Sequence, residues 1–205
     1  WGYFLDLAAE RGYEVTGCTI SRRQYEYASE LNRERIASGQ VTVLLEDYRN
    51  MPGHYDSVVS TGFFEHVGSA FWAEHFRKVA GYLKPGGVAM VQTMLCNKFD
   101  RQNAKRLNFF SKYIFPGGEF PSVGSFILAA EEAGLRCEEQ LSFGPDYART
   151  MREAWLRFHR NLDDVKAIGY DDEFIRKWEF FIAGWYAMFR SGQYNVMQAK
   201  LVHCP

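Results

Sequence analysis

Between residues 55 and 87 the chain reads Tyr55-Asp56-Ser57-Val58-Val59-Ser60, then Phe64-Glu65-His66-Val67-Gly68, then a stretch ending Tyr82-Leu83-Lys84-Pro85-Gly86-Gly87. The first segment is an apolar strand and the second a loop bearing an acid and a histidine. From Ala70 to Leu83, Phe71, Phe76, Val79, Ala80 and Leu83 recur at helical spacing. The Lys-Pro-Gly-Gly turn then leads into a further apolar strand, Val88 to Met94. Strand, loop, helix, turn and strand make one βαβ step. In open α/β sheets ligands sit at the carboxyl ends of such strands, which puts Glu65 and His66 at a ligand mouth.

The same rhythm extends outward. Phe4, Leu5, Leu7 and Ala8 outline a helix ending at Gly12, Glu14 to Ile20 reads as a buried parallel strand, and Ser21 caps the next helix. Val41 to Leu45 is another strand, with Glu46-Asp47-Tyr48-Arg49 at its carboxyl end. This alternation predicts an α/β protein with a mostly parallel, doubly wound sheet. The rhythm breaks between about residues 95 and 122, a length of chain that usually builds a lid or substrate wall. Its Lys98, Arg101, Lys105, Arg106 and Lys112 read as a solvated face or, against an anionic phospholipid, as contacts to head groups. Beyond it come a helix over Val123 to Ala133, a strand over Leu135 to Ser142, helices over Thr150 to Leu162 and Asp171 to Arg190, and a strand over Tyr194 to His203. Residues 1–205 are expected to form a single domain, with 150–190 supplying helical elements on the substrate side.

Composition narrows the function classes. Lys plus Arg number 24 against 25 Asp plus Glu, so no global field recruits nucleic acid. Cys18, Cys96, Cys137 and Cys204 show no C-x-x-C pairing, which predicts free thiols and no metal. No apolar run approaches the roughly 20 residues of a membrane span and no charged-then-apolar leader opens the sequence, so the expected location is cytoplasmic. Aromatics make up 17% of residues and concentrate at Phe109-Phe110, Phe115, Phe120, Phe126 and from Trp178 to Phe189. They read as a large core or as a wall around a lipid chain.

The block Gly62-Phe63-Phe64-Glu65-His66-Val67-Gly68 resembles the cyclopropane-fatty-acyl-phospholipid synthase family of S-adenosylmethionine-dependent methyltransferases. The resemblance continues at Tyr113-Ile114-Phe115-Pro116-Gly117-Gly118 with Pro121-Ser122, at Phe143-Gly144-Pro145-Asp146-Tyr147, and around Trp178-Glu179-Phe180. It implies a Rossmann-like class I methyltransferase fold, with the first strand and most of a glycine-rich cofactor loop falling before Trp1. It further implies S-adenosylmethionine as cofactor, bicarbonate as a second small ligand, and an unsaturated phospholipid chain as substrate. The expected setting is peripheral to a membrane, with a homodimer among the compatible assemblies.

Carried over residue by residue, the resemblance assigns Glu65 and Tyr147 to the bicarbonate site, with Glu138 as a second acid near it. Gln92 stands in Gln92-Thr93-Met94 where the best-known members have His-Thr-Ile. An amide can donate to an anion but carries neither a proton nor a positive charge. Thr19 and Gln24 match positions that reach the cofactor ribose, Asp47 and Tyr48 would meet the adenine, and Gly62 leaves room for the methionine part. Trp1 and Gly2 are the end of the cofactor loop. Read alone, Glu65 could cap a helix start and Tyr147 could be a packing residue. His66 reads as a helix-capping imidazole. The reactions left open are a cyclopropane, a methyl- or methylene-branched chain, small-molecule N- or C-methylation, and catalytically silent lipid binding.

Overall fold

A computed structural model describes residues 1–97 and 109–204. Lys98, Arg101, Lys105 and Arg106 lie outside the described residues. The chain divides into two compact units, Trp1–Gly53 and His54–Pro205.

The first unit contains α1 (Tyr3–Glu10), β1 (Val15–Thr19), α2 (Arg22–Leu31), α3 (Arg33–Ala37) and β2 (Val41–Leu45). β1 and β2 pair in parallel, from Val15 opposite Val41 to Thr19 opposite Leu45. The Ser21 hydroxyl accepts the Gln24 N–H and so occupies one of the free donors at the start of α2.

The second unit contains β3 (Tyr55–Thr61), α4 (Trp72–Tyr82), β4 (Leu83–Cys96), α5 (Phe109–Tyr113), α6 (Val123–Glu131), β5 (Leu135–Ser142), α7 (Gly144–Arg160), α8 (Leu162–Ala167), α9 (Asp172–Arg190) and β6 (Tyr194–His203). Its four-stranded sheet has the order β3-β4-β6-β5. β3 and β4 are parallel, as the βαβ pattern predicts, whereas β6 runs antiparallel to both of its neighbours.

Along β4, odd and even residues face opposite layers. Ala89, Val91 and Leu95 join Phe76 and Val79 of α4, Phe126 and Ala130 of α6, and Met197, Ala199 and Leu201 of β6 in one core. On the other side Trp185 and Phe189 of α9, Ala148 of α7 and Val196 form a smaller cluster, flanked by partly buried Met94, Phe110, Phe115, Phe120, Tyr147 and Tyr194. The aromatic concentration is therefore mostly a half-buried layer. Trp185 and Phe189 are its fully buried members, and Phe126 is enclosed in the opposite core.

Two boundaries differ from the sequence expectation. α7 starts at Gly144, with Pro145 in its first turn, instead of at Thr150. Proline at the first helical positions lacks only an N–H that would be unpaired anyway, so Gly-Pro opens this helix instead of blocking it. The second is the Lys-Pro-Gly-Gly turn. Tyr55 pairs with Leu83 and Ser57 with Val88, so Lys84 to Gly87 loop out between two paired rows. Gly86 takes φ 77° there, and a Cβ on Gly87 would lie 2.9 Å from the Lys84 carbonyl oxygen and 3.1 Å from that of Asp56. Both are backbone atoms and cannot rotate away. Gly87→Ala is therefore expected to cost about 1–3 kcal/mol. Thermal unfolding followed by circular dichroism should show a midpoint lowered by about 2–4 °C per kcal/mol.

Candidate active site

The site is organised by the turn that leaves β3. Gly62, at φ 60°, reverses the chain and donates its N–H to the Gln92 carbonyl at 3.0 Å. Phe64 then enters the core completely, with its ring centroid 4.9 Å from Phe76, 5.3 Å from Phe126 and 5.5 Å from Trp72. That insertion carries the next residue with it. Glu65 is only 4% exposed, and its Oε2 accepts the Thr93 hydroxyl at 2.9 Å.

Burial pushes the Glu65 carboxyl pKa above its ordinary range; the N–H groups of Glu65 and Met94, the Thr93 hydroxyl and the His66 charge oppose the shift without cancelling it. The backbone of the loop is held from the insertion side as well. The Glu119 N–H donates to the Glu65 carbonyl at 2.9 Å, and the Glu119 carboxylate accepts the Ser69 N–H.

Tyr147 comes from the first turn of α7. Asn195 fixes that turn, because its Oδ1 accepts from both Gly144 N–H, at 2.6 Å, and Val196 N–H, at 2.8 Å. The Tyr147 ring is half-buried with its centroid 5.1 Å from Phe189. Its hydroxyl pKa is raised first by burial and second by the negative charge of Glu65, so the two groups share one electrostatic environment. Glu65 and Thr93 thus form a hydrogen-bonded carboxyl–hydroxyl pair, and Tyr147, in the aromatic layer, stands near enough for the carboxylate charge to act on its phenol. Thr93 has no site role in the sequence reading. Its only sequence signal is a hydroxyl inside the apolar run from Val88 to Leu95.

Gln92 and Glu138 are placed differently. The side chain of Gln92 faces the layer opposite to Thr93, and its Oε1 accepts the Gln198 amide at 2.9 Å, which leaves its own NH₂ as the available donor. Glu138 is not brought to the Glu65 group. It pairs with Arg136 at 2.7 Å and Lys200 at 3.1 Å, near the rows of Ala89 and Met90. Those two cations, Lys200 first, hold its carboxyl below the ordinary range, which suits a surface ion pair.

In the first unit, Thr19 closes β1 and donates its hydroxyl to Gln24 Oε1 at 2.7 Å. Asp47, just after β2, caps the turn Tyr48–Asn50 and takes two bonds from the Arg49 guanidinium, at 3.0 and 2.7 Å. Gly2, at φ 87°, lies so near α2 that a Cβ would stand 2.7 Å from Ala28 Cβ. The exposed Trp1 ring meets Tyr27 edge-on at 5.6 Å. Hydroxyl, amide, carboxylate and phenol side chains at the carboxyl ends of two parallel strands suit a nucleoside, whose ribose and base offer both donors and acceptors. Among the described residues no group of three His, Cys, Asp or Glu side chains is arranged to hold a metal ion.

Parallel strands with polar residues at their carboxyl ends, an antiparallel β6 inside the sheet and a buried carboxyl under an aromatic layer define a Rossmann-like fold of the class I methyltransferase type. The sequence profile of the mycolic acid cyclopropane synthetase family matches residues 1–199, and the chain belongs to that family. It is 35% identical over 209 residues to the tuberculostearic acid methyltransferase UfaA1 of Mycobacterium tuberculosis, covering 98% of this chain and 48% of the relative. It is 32% identical over 192 residues to the Escherichia coli cyclopropane-fatty-acyl-phospholipid synthase, covering 94% and 48%. The chain thus spans about half the length of the curated relatives it matches. The mycolic acid cyclopropane synthase CmaA1, solved with SAH and CTAB, superposes with a TM-score of 0.89 at 24% identity, over 98% of this chain and 74% of that one.

A carboxyl whose folded pKa lies above its unfolded value of about 4.3 stabilises the fold fully only below that value. The contribution is lost as pH rises through the folded pKa. Glu65→Gln, which stays neutral, should therefore unfold at a higher temperature than the parent at pH 8, and the gap should close toward pH 4. Scanning calorimetry across that range measures it. A gap independent of pH would mean that the Glu65 carboxyl titrates normally.

Proposed function

We propose that the protein methylates the double bond of an unsaturated phospholipid acyl chain, using S-adenosylmethionine, and closes the product to a cyclopropane. The observation that carries this reading is a buried carboxyl of raised pKa sharing its surroundings with Tyr147 beside an aromatic layer. Membership of the cyclopropane synthetase family and the lipid reactions in the names of both curated relatives support it.

In this reading Thr19, Gln24, Asp47 and Tyr48 hold the ribose and adenine of the cofactor. When bound, the cofactor supplies an electrophilic methyl group on a sulfonium. The acyl π-bond would attack that methyl as its bond to sulfur breaks, releasing the demethylated cofactor and leaving a cation on the chain. Ring faces and a carboxylate stabilise such a cation without offering a reactive water. Glu65 takes up the proton that leaves the added methyl, while the C–H electron pair closes the ring. Its raised pKa suits this task, because a carboxylate poised nearer neutrality is a stronger base. Thr93 and the Glu119 N–H keep the carboxyl and its backbone in register, and Tyr147 supplies a hydrogen-bonding hydroxyl.

Incubation of the full gene product with isotopically labelled S-adenosylmethionine and an unsaturated phosphatidylglycerol, followed by gas chromatography and mass spectrometry, tests the reading. Glu65→Gln should lower turnover by about two to four orders of magnitude with little change in cofactor affinity. Turnover within a few-fold of the parent would make Glu65 structural.

Bicarbonate relaying the proton from the added methyl would donate its own O–H to the Glu65 carboxylate and accept from the Tyr147 hydroxyl and the NH₂ of Gln92; no lysine or arginine is found among these groups. One fewer charge-assisted bond weakens an anion by roughly 1–3 kcal/mol. Ring formation should therefore need more added bicarbonate than in an enzyme with histidine at this position, and Gln92→His should reduce the requirement, as read in bicarbonate-depleted buffer. The engagement of Gln92 by Gln198 favours a second product. If the proton instead leaves a chain carbon next to the cation, the result is a methyl-branched alkene of the same mass as the cyclopropane, which chromatography separates from it.

A further inference from the structure

The aromatic layer reaches the protein surface where α5 packs on α9. Phe109 contacts Phe180 at 4.5 Å and Tyr113 at 5.4 Å between centroids. Phe180 and Tyr113 are 56% and 46% exposed, so three touching rings form a contiguous apolar face. The ammonium groups of Lys112 and Lys177 lie 4.8 and 4.7 Å from the centre of the Tyr113 ring. Lys177 also pairs with Glu173 and feels the charge of Asp171, whereas Lys112 has no ion pair among the described residues.

Aromatic rings with lysines at their margin match the chemistry of a membrane interface. The rings sit at head-group depth while the ammoniums meet anionic phosphates. Phe110 packs against the backbone of α9 at Gly184, where a Cβ would come within 2.7 Å of its ring.

A chain of ring contacts leads inward from this face. Phe109 touches Phe110 at 5.5 Å, Phe110 touches Trp185 at 5.4 Å, Trp185 touches Phe115 at 6.1 Å, and Phe115 touches His66, the neighbour of Glu65, at 5.5 Å. This continuity distinguishes a lipid surface from a second copy of the chain as the occupant. A dimer contact gains nothing from a path of rings to the buried carboxyl, whereas an acyl chain leaving a bilayer needs one.

We propose that Phe109, Tyr113 and Phe180, with Lys112 and Lys177, dock the protein on an anionic bilayer and deliver the acyl chain along the ring path toward Glu65. This rests on the lipid-modifying reading above and adds to it the face that meets the membrane.

The test uses the full gene product, with Tyr113→Ser and Lys112→Glu as variants and circular dichroism as the check on folding. Co-sedimentation compares vesicles of phosphatidylcholine alone with vesicles containing phosphatidylglycerol, at low and high salt. The parent should favour the anionic vesicles and lose binding in salt. Each cationic side chain at such a surface is worth about a fivefold change in partition, so reversing Lys112 should weaken binding by about 25-fold. Tyr113→Ser should weaken it by about tenfold. Methyl transfer by the parent to the same lipid dispersed in detergent is measured alongside as the reference for the functional reading.

Vesicle binding equal to the parent in both folded variants would overturn the proposal, as would a parent that ignores anionic vesicles. Concentration-dependent self-association, lost in Tyr113→Ser without any vesicle binding, would assign the face to a second copy and overturn it too. Absence of methyl transfer by the parent even in detergent would instead sink the functional reading, and the vesicle result could still be read by itself.

Discussion

The second unit depends on the burial of Phe64. A carboxyl one residue from a turn would ordinarily point into water, because removing it from solvent costs free energy. Glu65 cannot do so while Phe64 occupies its place among Trp72, Phe76 and Phe126. Truncating a buried phenylalanine costs about 3–5 kcal/mol, which exceeds what one hydrogen-bonded carboxyl gains by rehydration. The hydrophobic effect thus holds a polar group in a place that electrostatics alone would not choose, and the same burial raises its proton affinity.

The sheet turns this local effect into a site. Because β4 alternates, Thr93 joins the face that receives Phe64 and Glu65, whereas Gln92 and Met94 face the layer formed by α7 and α9. Neighbouring residues in sequence therefore serve different layers. The antiparallel β6 contributes to both, with Met197 in the main core and Asn195 at the start of α7. One strand consequently sets the packing beneath the Glu65 loop and the position of Tyr147.

What was legible in the sequence follows from period and punctuation. β3, α4 and β4 show clear apolar spacing, and the Phe-Glu-His loop stands out between them because nothing there repeats. The Gly144-Pro145 pair hid the start of α7, since both residues usually end structure and only the tertiary setting made them open it. Thr93 was obscure because a hydroxyl in a strand has many bland uses, and its partner lies 28 positions away. Glu138 was misplaced for the opposite reason. Its position along the chain resembled that of a site acid, but its actual partners, Arg136 and Lys200, depend on register between β5 and β6 and on a bulge near Cys137.

Glu119 has a consequence for how this region opens. Its N–H holds the Glu65 carbonyl while its side chain holds the Ser69 amide, so one residue closes two hydrogen-bonded links onto the same loop. Neither link can be released by a small rotation without loosening the other. The stretch from Phe115 to Phe120 and the turn from Glu65 to Ser69 therefore belong to a single cooperative unit of local unfolding, with one shared opening free energy. Evolutionary change in that stretch would reach the carboxyl without touching it. A substitution that reshapes that stretch would also shift the backbone carrying Glu65, tying the two segments together in one piece of polypeptide.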